Sequence, residues 1–129
     1  MRVTALPFEL DSDESRGFHV PAREIRGTVK LEDDRLIIAF MLVGAPADDS
    51  PHITRIDLTS IDHVSMTGGA VKSPRLLIET SNEDCLKPIP WASGCQCVLR
   101  FRRADGQHLR ELIAEIEVRM ADSRTREED

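Results

Sequence analysis

The sequence contains no tyrosine, one tryptophan and four phenylalanines. A chain this poor in aromatics offers no ladder of rings on which single-stranded nucleic acid can stack. Its core must be mainly aliphatic. A basic excess is also missing: 23 acidic against 17 basic residues give a net charge of −6. That sign opposes a nucleic-acid partner, and membrane-surface binding is not expected. Long hydrophobic runs are absent too. The longest, "LIIAFMLVGA" from Leu36, is half the ~20 residues a membrane helix needs. The opening "MRVTALPFELDSDESRG" lacks an apolar signal core and turns acidic, so no signal peptide and a cytoplasmic location are predicted. Three cysteines, an odd number, read as free thiols in a reducing compartment. Catalytic signatures are equally scarce. There is no G-x-S-x-G elbow, no Walker A loop, no G-x-G-x-x-G and no H-E-x-x-H. The chain is read as a non-enzyme without a cofactor.

What is present is an ordinary folded composition, 40% apolar and 31% charged over 129 residues. That suits one domain with a single core. Residues 1–24 are mixed and acidic, and are set apart as a partly irregular segment in which "LPFEL" is able either to add an edge strand or to drape over the body. From Ile25 the pattern alternates. Val29 and Leu31 oppose Thr28 and Lys30, as in a half-buried strand. Asp33-Asp34 suits a tight turn, because aspartate tolerates the left-handed region. From Leu36 to Val43 both strand faces are apolar, so cover on both sides is expected. "GAPADDSPH" reads as a loop. Ile56 and Leu58 continue the alternation, and Thr59-Ser60 breaks it before Ile61 and Val64. "TGGAVKSP" supplies a turn, "RLLIET" a strand, "SNEDCLKPIPWASG" an irregular stretch with two blocking prolines, and Gln96–Arg103 the last strand.

The period then changes. Leu109, Leu112, Ile113, Ile116 and Met120 recur at i, i+3, i+4, i+7 and i+11, one stripe of a helix. Asp105 is placed to cap it, and the helix is predicted to end near Ala121 or Asp122, leaving 123–129 as a disordered tail. At ~25 cal/mol per Å² of apolar area, burying that stripe contributes several kcal/mol. The fold expected is therefore mainly β (α+β), with about seven antiparallel strands and one C-terminal amphipathic helix covering an opening.

Three segments resemble bacterial pleckstrin-homology-like and GRAM domains: "GTVKLEDDRLII", "ITRIDLTSIDHV" and "CVLRFRRADGQHLRELIAEI". The resemblance spans roughly Ile25 to Met120, and the domain is drawn at residues 25–122. It implies a barrel closed by its terminal helix and a role in binding phosphoinositides, peptides or proteins, with ring-like assemblies in some members. Lipid-binding members place lysines and arginines in the first two strands. Here Arg23, Arg26, Lys30 and Arg35 are offset by Glu24, Glu32, Asp33 and Asp34. The expectation is therefore a non-catalytic module for a protein partner or for its own copies. The alternative is a lipid head group or small anion held by Arg75 and Arg100–Arg103.

Individual residues are read against their commonest roles. Cys95-x-Cys97 with Cys85, His52 or His63 is a weak match to zinc spacing, and buried free thiols explain it better. His19 and His108 join no ligand pattern. Asp62-His63 beside Ser60 or Ser65 suggests a triad, but strand neighbours point to opposite faces. Trp91 is expected to plug the interior or pin its loop, because its large apolar area favours burial. No catalytic, ligand-binding or metal residue is assigned.

Overall fold

The computed structural model describes residues 5–11, 24–43, 51–68 and 72–128. Among them the chain forms seven strands and one long helix, in the order β1 (Leu6–Asp11), β2 (Glu24–Glu32), β3 (Arg35–Val43), β4 (His52–Asp57), β5 (Ile61–Thr67), β6 (Arg75–Thr80), β7 (Gln96–Arg100) and α1 (Gly106–Glu128). β1 to β4 make one antiparallel sheet in sequence order, and β5 to β7 make a second. The loops read in 12–23, 44–50 and 69–71, with Arg23 and His19, lie outside the described residues.

Local chemistry explains most of these elements. The β2–β3 hairpin closes on Asp33-Asp34, with Glu32 opposite Arg35 and Asp33 at φ 55°. The break predicted at Thr59-Ser60 is a 3₁₀ turn, Leu58–Ser60, which carries the chain from β4 into β5 and so from one sheet to the other. Leu58 N–H donates to the Asp34 carbonyl at 2.9 Å, tying this corner to the hairpin.

Both sheets turn one apolar face inward, and α1 lies against β5, the Leu58–Ser60 turn and β2. The predicted helical stripe is the buried one: Leu109, Leu112 and Ile116 are wholly excluded from water, and Ile113 and Met120 nearly so. The core also holds a cluster of four aromatic side chains. The Phe8 ring centre lies 5.9 Å from Trp91 and 6.4 Å from Phe101, and Phe40 meets Trp91 edge-on at 4.9 Å. Phe8 pairs across the ladder with Gly27, and Gly27 with Phe40. A Cβ on Gly27 would fall 2.1 Å from the Ala39 carbonyl oxygen and 2.7 Å from Phe8 Cζ. The glycine thus leaves room for the Phe8 ring.

Four expectations change. The boundary at residue 24 is not a structural one: β1 is an edge strand of the first sheet, and Leu6, Phe8 and Leu10 are core residues. The last strand ends at Arg100, not Arg103. Phe101 N–H still donates to the Pro74 carbonyl at 2.9 Å, but proline has no N–H to return the bond. Asp105 does not stand outside the helix as its cap. The chain already coils as a 3₁₀ turn at Arg103–Asp105, and the Asp105 carboxylate accepts from Arg102 Nε at 3.0 Å. Finally, α1 runs to Glu128. Ser123, assigned to a tail, is a buried residue of that helix.

Replacing Gly27 by alanine is expected to lower the unfolding free energy by about 2–3 kcal/mol, through overpacking against Phe8 and Ala39. Leu112→Ala is expected to cost about 3 kcal/mol, through the void left under α1. Urea denaturation measures both. A Gly27→Ala change below about 0.5 kcal/mol contradicts the close seating of Phe8.

Candidate functional site: a groove between β5 and α1

In the second sheet β5 pairs with β6 on one side, and among the described residues no strand pairs with it on the other. The helix lies across that open side. Its stripe residues reach past β5 into the core, so the space beside the strand edge is only partly filled. The result is an open groove of about 590 Å³, floored by Val64, Met66 and Ile113 and walled by His63, Ala114 and Arg110. A second hollow of about 240 Å³ continues it toward Asp62, Met120 and Ala121. The two share His63, Val64 and Glu117, so they adjoin along the strand.

The bulge between Ile61 and His63 shapes its upper end. It leaves both Asp62 and His63 exposed instead of alternating, while Val64 stays in the core. His63 therefore stands on the groove wall with Glu117, and the Asp62-His63 pair is part of a rim. On the helix side Ala114 is exposed and presents only a methyl group, which keeps the channel open. An open strand edge over an apolar floor is suited to an extended polypeptide, whose backbone continues the ladder while side chains fill the floor.

The other candidates separate in space. Cys97 faces the core from β7, opposite Ile78, whereas Cys95 precedes the strand and Cys85 lies in the 3₁₀ turn Glu83–Leu86. All three thiols are free. Cys85 Sγ donates to Asn82 Oδ1 at 3.6 Å. Among the described residues no group of three or more His, Cys, Asp or Glu side chains is placed to hold a metal ion. Burial pushes the Cys97 thiol from 9.0 up to about 12. As pH rises the unfolded chain ionises this thiol first. The stability tied to it is thus complete below pH 9.0 and is lost progressively toward about 12. Trp91 is buried, and its Nε1–H donates to the Val98 carbonyl at 3.0 Å, pinning the irregular stretch to β7.

The Arg-rich strand is dispersed as well. Arg102 is held by Asp105, which also lies 4.0 Å from His108 Nδ1. Arg100 and Arg102 border a notch of about 250 Å³ between β1 and β7, but Glu9 lines it too. At the β2–β3 turn, a hollow of about 410 Å³ mixes Glu32, Asp33, Asp34 and Asp57 with Arg35 and Arg55. Arg119 donates through Nη1 to the Asp33 carbonyl and through Nε to Glu115 Oε1, clasping that turn to α1.

The outward face of the first sheet is the remaining surface. The double apolar character of β3 is only half covered: Ile37 is buried between its ladder neighbours Lys30 and Arg55, while Met41 is 42% exposed, Val43 37% and Ile53 on β4 52%. The same face carries three ion pairs, Arg26–Glu24 at 2.9 Å beside the patch, and Lys30–Glu32 at 3.1 Å and Arg35–Asp57 at 3.3 Å toward the β2–β3 turn. The Arg26 guanidinium is held above its ordinary pKa by its hydrogen bond to Glu24 and then by that carboxylate's charge.

No protein-family model, curated protein or solved structure matches this chain. Sequence reading missed the groove because Arg110, Ala114 and Glu117 lie off the buried stripe and read as solvated. Only the knowledge that β5 is an edge strand gives them a role.

Thiol chemistry checks the placement of the cysteines. With iodoacetamide at about pH 8, Cys85 and Cys95 are expected to be alkylated in the native protein and Cys97 only after unfolding. Peptide mapping reads the three sites, and modification of Cys97 at the rate of Cys85 contradicts its burial.

Proposed function

We propose that this chain is a pleckstrin-homology-like, non-catalytic module of the cytoplasm that binds partner proteins, taking an extended segment of the partner into the groove between β5 and α1. The observation that carries the reading is the unpartnered edge of β5 beside that apolar channel. Several others support it. A four-stranded and a three-stranded antiparallel sheet followed by a C-terminal helix is the element order of that fold. β1 lies beside β7, which draws the two sheets together along one side as a nearly closed barrel requires. Free thiols suit a reducing compartment, and no helix among the described residues is long and apolar enough to cross a membrane.

The groove favours a peptide over a small anion. Its floor is apolar, and its walls carry both Arg110 and Glu117. Affinity then comes from backbone hydrogen bonds along β5, and selectivity from alternate side chains reaching Val64, Met66 and Ile113.

The test uses a phage-displayed random peptide library selected on the full chain, with enriched peptides measured by fluorescence anisotropy. Enriched peptides are expected to bind in the micromolar range and to lose at least about tenfold in affinity to Ala114→Trp, which fills the channel from an exposed position. Failure to enrich any peptide, or equal binding to wild type and Ala114→Trp, overturns the proposal.

A further inference from the structure

The outward face of the first sheet is a separate surface from the groove, on different strands. Its patch is made by Met41 and Val43 of β3 with Ile53 of β4, and Ala39 lies between them in the ladder, opposite Ile53. Exposed single hydrophobics are ordinary. Three large ones gathered on the open end of one sheet face, at 37–52% exposure, are a patch that marks contact.

We infer that this face binds the same face of a second copy of the chain, forming a weak two-fold homodimer by sheet-on-sheet packing. Two observations select that occupant. The first is charge. Besides its three ion pairs, the face carries Arg55 on β4 and Glu9 on β1, so its described charged side chains balance. The chain as a whole is at −6. A second copy therefore meets no net repulsion from the described side chains of this face. A strongly basic or acidic partner finds nothing on this face to attract it. Each ion pair sets an acid and a base side by side, and a two-fold contact needs both signs on one surface, since each copy must meet its own pattern.

The second is area. Strands of six, nine, nine and six residues, spaced at ~4.8 Å and rising ~3.3 Å per residue, give a face of roughly 480 Å². Two such faces bury about 950 Å² in total, just under the ~1,000 Å² of a standard specific interface and the size of a weak, reversible contact. Paired charges border the apolar patch on two sides, Arg26–Glu24 beside Met41 and Val43, and Lys30–Glu32 with Arg35–Asp57 beyond Ile37. Ile37 marks where the patch stops: its neighbours Lys30 and Arg55 close that end, and the open end lies toward Val43.

Sedimentation equilibrium of the full chain from about 5 to about 500 μM tests this, since a contact near the lower size limit associates in that range. A concentration-dependent dimer is expected. Ile53→Lys and Met41→Lys should each weaken it by at least about tenfold, and Val118→Lys, an exposed position on α1, should leave it unchanged. Circular dichroism melting confirms that each variant is folded, and Ala114→Trp, which addresses the groove, should leave dimerisation intact. A monomer at every concentration overturns the inference, as does a dimer indifferent to both Ile53→Lys and Met41→Lys or one disrupted by Val118→Lys.

Discussion

Each of the two sheets has one face that water cannot be allowed to reach, and seven short strands cannot cover both. That deficit is met by α1. Its stripe from Leu109 to Met120 sits against β5 and the Leu58–Ser60 corner, where the chain passes from one sheet to the other. The aromatics meet the same need in the core. Phe8, Phe40, Trp91 and Phe101 are gathered into one cluster, and Gly27 is small because Phe8 must lie over it. A core closed by one helix and one aromatic knot leaves little freedom elsewhere. Everything at the surface is positioned by those two seals.

The helix is also what makes a groove of a strand edge. Placed squarely over β5 it would bury the edge. Placed further off it would expose Leu112 and Ile116. Its observed position is fixed at two points: by the 3₁₀ turn Arg103–Asp105 at its start, where Arg102 and Asp105 are joined, and by Arg119, which bonds the Asp33 carbonyl of the β2–β3 turn. Exposed ion pairs of this kind add little to stability individually. Their value here is geometric, since Arg119 ties α1 to the β2–β3 turn and Arg102–Asp105 orders the turn that starts the helix.

Much of this was legible from residue order alone. The period change after Arg102, the Asp33-Asp34 turn and the break at Thr59-Ser60 are local signals, and each produced the element it announced. The parts that were not legible depend on contacts distant in sequence. Nothing local in "LPFEL" says that Phe8 will pack over Gly27 and join the core. Nothing in the helix pattern says that Ser123 will be buried beyond the last stripe residue. The half-covered face of β3 was visible as an apolar run, but only the ladder shows that Lys30 and Arg55 flank Ile37 while Ile53 extends the exposed end. Arg110, Ala114 and Glu117 carried no signal at all, because a groove is a property of two elements and the gap between them.

An open strand edge is ordinarily a hazard, since it invites pairing with any other edge and so leads to aggregation. In this fold the hazard is restricted by shape. α1 packs against β5, so part of that edge is covered by the helix. Exposed charged residues along both walls, Asp62 and Arg110 among them, further disfavour an apolar sheet edge. The outward face of the first sheet differs in kind: there the backbone groups are paired within the sheet, and only side chains are presented to a neighbour.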